Sequence, residues 1–241
     1  DFITAPGREK DFFTALLDDL KNTEVRNLEL AHVRPDSAVL KNLVPCAESL
    51  GYAVESKQED VSVEMELPAA FEDYLESLET KQRHEIRRKM RRLLEEGEID
   101  YRFISRGGEL KSAMDTFFRM FVESRQDKAA FLTEQMKSYF IRLAETMAGS
   151  GLLRLGVLEL DGKPVAEIMC FDYNGCIYLY NSGYDPKYVA LSAGMLSKVY
   201  AIKDSIEQGK KRFDFLKGAE IYKYRLGGRE VPLFRCRINI K

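Results

Sequence analysis

Three stretches of the chain carry residue types that can hold or move charge on a ligand. The first is Tyr184-Asp185-Pro186-Lys187-Tyr188-Val189-Ala190-Leu191-Ser192-Ala193-Gly194-Met195, which leads from a strand pattern into an amphipathic helix. Ser192 is placed as the N-cap, and Ala193 and Gly194 keep the first turn free of bulk. A helix start offers unpaired N–H groups and about half a positive charge, a natural seat for a pyrophosphate. The same residues also suit a capped surface helix that uses small residues for packing, and the local sequence leaves both readings open.

The second stretch is Arg212-Phe213-Asp214-Phe215-Leu216-Lys217-Gly218, followed by Ala219-Glu220-Ile221-Tyr222-Lys223-Tyr224-Arg225. A buried strand ends in a glycine turn and gives way to an aromatic, basic segment. Lys223 could meet a phosphate or a developing oxyanion, where a fixed cation stabilises charge that forms only in the transition state. On the other reading, Lys223 and Arg225 are solvated charges beside packing tyrosines. The third stretch is a basic helix over residues 80–96, with Lys81, Arg83, Arg87, Arg88, Lys89, Arg91 and Arg92 around a single Glu85. It is either a contact for a polyanion or a solvated face whose aliphatic stems cover the domain.

Composition narrows the field. The formal net charge of −2 gives no global pull toward nucleic acid or an acidic membrane, so any such contact must be local. No apolar run approaches the ~20 residues of a membrane helix, and no signal peptide opens the chain. Cys46, Cys170, Cys176 and Cys236 are scattered, which suits reduced thiols and a cytoplasmic location better than a disulfide framework. With His32 and His84 as the only histidines, a His-based metal site or a Ser/His/Asp hydrolase is not expected, and no metal is assigned.

The elements that must position these residues follow from periodicity. Helices are predicted over residues 8–21 and from Asp36 or Ser37 to Leu50, with a strand between them at 27–33 and one or two strands over 54–67. Helices at 69–78 and 80–96, a strand at 99–105, and helices at about 108–126 and 132–148 come next. Three strands, 152–160, 164–173 and 176–182, are joined by Asp161-Gly162 and Asn174-Gly175, the strongest short hairpin signals. A helix over 192–208 closes on Gly209, and short strands follow at 213–215 and about 231–239. The chain opens Asp1-Phe2-Ile3-Thr4 without a Met, in what reads as the middle of a strand, and is taken as a trimmed fragment. No G-x-G-x-x-G follows a strand, so a Rossmann fold is not indicated.

The run from Tyr180 to Gly228, the meander before it, and the block from Leu67 to Gly97 together resemble the CelD/BcsL-type acetyltransferases. These belong to the GNAT superfamily, are related to the Fem aminoacyltransferases, and are named for cellulose and exopolysaccharide synthesis. The resemblance covers roughly residues 58–241 and implies an α+β GNAT fold: a mixed, mostly antiparallel sheet flanked by helices. Residues 1–57 look like the tail of the first of two GNAT-like halves, about a hundred residues of which would be absent.

The resemblance further implies transfer of an acyl group from acetyl-CoA or another acyl-CoA to an amine. The pyrophosphate would sit on the N–H groups of Ser192, Ala193, Gly194 and Met195, and the pantetheine between the strands ending near Ser182 and Phe215. The commonest family pattern there, Gln/Arg-x-x-Gly-x-Gly/Ala, is matched only by Lys187-x-x-Ala190-x-Ser192. Tyr222 and Lys223 match the family's Tyr-Lys motif, and Lys223 is the first catalytic candidate. Asp214, Glu167 and Asp172 are candidates for the base, and Tyr180 and Tyr184 for the acid that protonates the thiolate. A small or sugar-type acceptor is expected, with a polyanion contact at 80–96 and a homodimer as further expectations. Fem-like transfer from aminoacyl-tRNA is the alternative enzyme, although the long helical arm common in Fem proteins is not evident. A non-catalytic GNAT-like scaffold is the remaining alternative.

Overall fold

The computed structural model describes residues 1–105, 107–124 and 126–240, without the side chains of 126–128. The chain divides into two units, one of residues 1–63, 217–219 and 230–241, the other of 64–216 and 220–229.

In the first unit, Phe13 and Leu17 lie one helical turn apart on α1 (Glu9–Lys21) and are fully buried. They share a core with Val39, Leu43 and Ala47 and with Cys236 and Ile238 of the last strand. That strand pairs antiparallel with β1 (Asn27–Val33), Asn27 opposite Asn239 and Leu30 opposite Cys236. The C-terminal strand, expected to complete the second domain, thus belongs to the first unit. Ser37, one of the two proposed caps, accepts the N–H of Leu40 at 3.2 Å. The predicted helix beyond it is not uniform. Pro45 has no N–H to give to the preceding turn, and the chain winds wide over Val39–Leu43 before α2 (Val44–Ser49), with the Val44 N–H reaching Val39 O. β2 (Ala53–Glu66) is one continuous strand. Residues 1–5 form no strand, contrary to expectation; the Asp1 carboxylate instead accepts the N–H of Ala38 at 3.0 Å and of Val39 at 3.3 Å.

The second unit runs α3 (Phe71–Ser77), α4 (Thr80–Glu96), β3 (Ile99–Ile104), α5 (Glu109–Ser124), α6 (Gln126–Phe131), α7 (Glu134–Gly149), β4 (Leu153–Leu160), β5 (Lys163–Tyr173), β6 (Cys176–Tyr184), α8 (Ala193–Glu207), β7 (Arg212–Lys217) and α9 (Ile221–Arg225), with β8 (Arg229–Asn239) the strand already met. The short α6 was not foreseen, and Arg125, within the predicted 108–126 helix, lies outside the described residues. Asp161 (φ 50°) with Gly162 (φ 70°) and Asn174 (φ 49°) with Gly175 (φ 72°) supply the paired left-handed residues of type I′ turns. The resulting sheet has the order β7-β6-β5-β4-β3. It is antiparallel except for the β6–β7 pair, which is parallel. The class is α+β, as expected.

Strand alternation gives the sheet two covered faces. Leu153, Leu155, Val157 and Met169 pack with Phe117, Phe121 and Phe140 of α5 and α7. Arg154, between two of these leucines, points the other way and pairs with Asp204 of α8 at 3.2 Å. α8 ends as predicted on left-handed Gly209, with Lys210 N–H returning to Ser205 O at 2.9 Å.

One close approach fixes α5 to the sheet. A Cβ added to Gly183 on β6 would lie 2.5 Å from the backbone nitrogen of Phe121. Backbone cannot rotate aside as a flexible side chain can. Gly183→Ala is therefore expected to lower stability by about 2–3 kcal/mol, read as a lower urea midpoint at unchanged slope.

Candidate active site

β6 and β7 pair over only three positions, Cys176 with Arg212, Ile177 with Phe213 and Tyr178 with Asp214. Beyond them β6 continues to Tyr184 and β7 to Lys217 with no further pairing among the described residues, so the two strands splay. Two local features accompany the parting. Opposite β5, Met169 pairs with Asn181 and Cys170 with Leu179, leaving Tyr180 as the extra residue of a bulge in β6. At the end of β7, Leu216 takes a left-handed conformation, φ 61°.

Asp214 and Lys223 hold that strained residue from two sides. The Asp214 carboxylate accepts the Leu216 N–H at 2.7 Å, and the Lys223 ammonium donates to the Leu216 carbonyl at 2.9 Å. Lys223 also pairs with Glu220 at 2.9 Å. At 2% exposure its side chain is no solvated charge. Asp214 is likewise buried. Both residues thus lie at the splay, with these groups directed at the turn that ends β7.

The start of α8 faces the splay. Ser192 stands at the N-cap position but in a left-handed conformation, φ 60°, and its side chain makes no cap. The Ser192 carbonyl instead takes the N–H groups of Met195 and Leu196, both at 2.9 Å, so the Met195 N–H expected to hold phosphate is already bonded. The N–H groups of Ala193 and Gly194 precede the first bonded turn. Gly194 lets the helix start lie close to Tyr184: a Cβ would fall 2.6 Å from that ring, which would then have to shift. Lys187 is exposed, in the short 3-10 turn between β6 and α8.

The sequence reading missed Lys198. Its ammonium donates to Gly194 O at 2.7 Å and Ser182 Oγ at 3.0 Å, and lies 5.3 Å from the centre of the Tyr222 ring. It joins α8, β6 and the Tyr-Lys motif at one place. The available signal was its spacing: four residues after Gly194, it shares a helical face with the proposed phosphate seat.

The other candidates sit as follows. Tyr180 packs on Phe140 and Phe171, and burial followed by its bond to Tyr139 pushes its hydroxyl up to about 12. Burial also raises the Tyr222 hydroxyl well above its ordinary range. Asp172 is engaged by Arg154 at 3.2 Å and Lys210 at 2.6 Å. In α4, Arg87 pairs with Glu72, and Arg88 and Lys89 with Glu85. Lys89 also reaches the sulfur of Met195 at 3.3 Å, so the basic helix borders the start of α8.

Glu167 stands apart. It is 1% exposed, yet its Oε2 has no hydrogen-bond partner among the described residues. It lines a 300 Å³ cavity with Arg102, Ile104, Glu109, Ser112, Ala113, Thr116, Val157 and Pro164. Burial raises its carboxyl to about 8, against the opposing pull of Arg119 and Arg102.

The model of the family described as acetyltransferase (GNAT) domain matches residues 80–224, more than half the chain. No curated protein sequence matches. The C-terminal domain of a protein described as a lysylphosphatidylglycerol synthetase from Agrobacterium fabrum is similar in structure, with 11% identity and a TM-score of 0.64 over 95% of this chain and 72% of that one. FemX is similar at 12% identity and a TM-score of 0.65, covering 94% and 76%. L-PGS from Bacillus licheniformis is similar at 12% identity and a TM-score of 0.57, covering 94% and 71%. At such identities the likeness concerns the fold alone. Among the described residues no helix is long and apolar enough to cross a membrane.

Two outcomes are expected of variants here. Unfolded, Glu167 ionises near its ordinary 4.5; folded, it keeps its proton to about 8. Between these values the folded state binds more protons, so stability is full below 4.5 and falls as pH rises through 8. Glu167→Gln should remove this fall, worth on the order of a few kcal/mol, in urea unfolding compared at pH 5 and pH 9. Lys223→Met, which leaves the Leu216 carbonyl without that donor, should cost about 2 kcal/mol in the same urea unfolding.

Proposed function

Because the chain belongs to the acetyltransferase (GNAT) domain family, we propose that it moves an acyl group from an acyl-CoA thioester to the amine of a small or sugar-type acceptor. The observation that carries this reading is the splay beyond Tyr178 and Asp214, bordered by the glycine-opened start of α8. The pantetheine would thread between the parted strands, where the edge of β6 offers backbone groups that β7 does not take. The pyrophosphate would meet the N–H groups of Ala193 and Gly194, with the helix dipole favouring its charge.

In the reaction the amine nitrogen attacks the thioester carbonyl carbon. A C–N bond forms, the C–S bond breaks, the amine gives up a proton, and the leaving thiolate takes one up. Placement and charge stabilisation are what a fold can supply to such a step. Lys198 and Lys223 are the buried cations at the splay. Their charge is fixed before the reaction, so little reorganisation is needed when negative charge develops. The amino-sugar acceptor, and a role in envelope or exopolysaccharide synthesis, follow from the CelD/BcsL-type resemblance.

One observation favours aminoacyl-tRNA as the donor in its place: α4, with Lys81, Arg91 and Arg92 outside any ion pair seen among the described residues, borders α8 through Lys89 and Met195. Thermal unfolding with acetyl-CoA, free CoA and bulk tRNA separates the two. Ligand at a hundred times its Kd adds about 2.7 kcal/mol, roughly 5–10 °C for a chain of this size. The expected result is such a rise with the CoA species and none with tRNA. Gly194→Val should reduce the rise and weaken acetyl-CoA at least about tenfold, or 1.4 kcal/mol, because the side chain meets Tyr184. A rise with tRNA alone would replace the thioester reading by the aminoacyl one.

A further inference from the structure

The cavity at Glu167 is separate from the splay. Glu167 pairs with Gly183 across β5 and β6. Gly183 lies against the backbone of Met120 and Phe121 of α5. In the order of the sheet, that contact stands on the splay side of Glu167, while the cavity spreads the other way, under the first half of α5 and over β3 and β4.

Its polar wall is rich in acceptors. The Ser112 hydroxyl donates to the Glu109 carbonyl at 2.9 Å, and the Thr116 hydroxyl donates to the Ser112 carbonyl at 3.1 Å. Toward the cavity these oxygens have only lone pairs to offer. Arg102, the basic side chain in the lining, is held by Glu109 at 3.1 Å and Glu159 at 3.2 Å. Glu167 keeps a buried oxygen without a partner among the described residues. A ligand suited to this wall must donate hydrogen bonds and carry positive charge to match a carboxylate. An ammonium group does both and accepts nothing. A metal ion is less well served, since no group of three or more His, Cys, Asp or Glu side chains that could hold one occurs among the described residues. The apolar part of the lining, from Ile104, Ala113, Val157 and Pro164, suits a short carbon skeleton beside the charge.

We propose that this cavity is a binding site for a small primary amine in its ammonium form, with the Glu167 carboxylate as its counter-ion and the oxygens of Ser112 and Thr116 as further acceptors. The site stands on its own geometry and does not depend on the acyl-transfer reading. Binding has a distinctive signature. Free of ligand, Glu167 holds its proton at neutral pH because its carboxyl is raised to about 8. An ammonium favours the ionised form, so the proton passes to buffer as the ligand enters. Besides burial, the charged groups that set this balance are Arg119 on α5, Arg102 on β3 and Glu159 on β4, and Glu109 on α5 also lines the cavity. Of these, Arg119 and Arg102 oppose the rise and Glu159 adds to it.

The test is isothermal calorimetry at pH 7 with methylammonium, ethanolamine and glucosamine as probes, run in two buffers of different ionisation enthalpy. Tetramethylammonium, a cation with no N–H, is the control. At least one probe is expected to bind with release of about one proton per site, and tetramethylammonium at least tenfold more weakly. Glu167→Gln should lose the proton release and at least tenfold in affinity. Ala113→Leu, which fills the cavity without touching the carboxyl, should block binding and keeps the test valid if the first variant does not fold. Absence of binding by all three probes would overturn the proposal. So would unchanged affinity and proton release in Glu167→Gln, or equal binding of tetramethylammonium.

Discussion

A parallel strand pair that stops after three positions shapes the second unit more than any other feature. β6 and β7 are joined at Cys176–Arg212, Ile177–Phe213 and Tyr178–Asp214 and then part. Ordinary strands would continue, because each further pair satisfies a buried N–H and C=O. Here the parting is built in. A bulge at Tyr180 changes the course of β6, and left-handed Leu216 ends β7. A leucine at positive φ is costly, and the bonds from Asp214 and Lys223 to its own N–H and carbonyl offset that cost. The clamp keeps the end of β7 turned away from β6.

The buried polar residues of this unit divide by what satisfies them. Lys198 and Lys223 are both nearly inaccessible, a burial that lysine tolerates only with partners. Backbone carbonyls take part of each charge, at Gly194 and Leu216. Asp172 is held in an ion-pair network with Arg154 and Lys210. Glu167 differs, with a buried oxygen that, like the Tyr101 hydroxyl, no described group meets. It answers the problem by keeping its proton, the cheaper course for a carboxyl in a site of low polarity.

How far the sequence could be read depended on whether the determinant was local. The meander was legible because Asp161-Gly162 and Asn174-Gly175 carry their turn conformation in their own chemistry, and α8 because Gly209 terminates it. The family resemblance pointed to α8 and the Tyr-Lys motif as the site region. Tertiary contacts hid the rest. Nothing near Tyr180 announces a bulge, since the shift is defined by the partner strand β5. Ser192 has the right type for a cap, yet its left-handed backbone turns the side chain away from that task. Lys223 was weighed as a solvated charge because the carbonyl that buries it is seven residues away. Glu167 looked like any strand carboxylate, because its surroundings come from α5 and β3. The return of the last strand to β1 is likewise a pairing across most of the chain.

Two glycines explain why the opening should be rigid. Gly183 admits the backbone of α5 to one side of β6, and Gly194 lets the start of α8 approach the Tyr184 ring at the end of the same strand. Each contact is tighter than any residue with a Cβ would allow. Together they fix the end of β6 to two helices at the place where β7 leaves it. Without β7 as a neighbour, residues 179–184 keep sheet pairing on one side only, with β5. Packing against α5 and α8 adds to the pairing with β5, so this part of β6 holds one position along the splay. The same tightness confines the Glu167 cavity to its own side of the contact, so one α5–β6 packing interaction both braces the splay and bounds the second cavity.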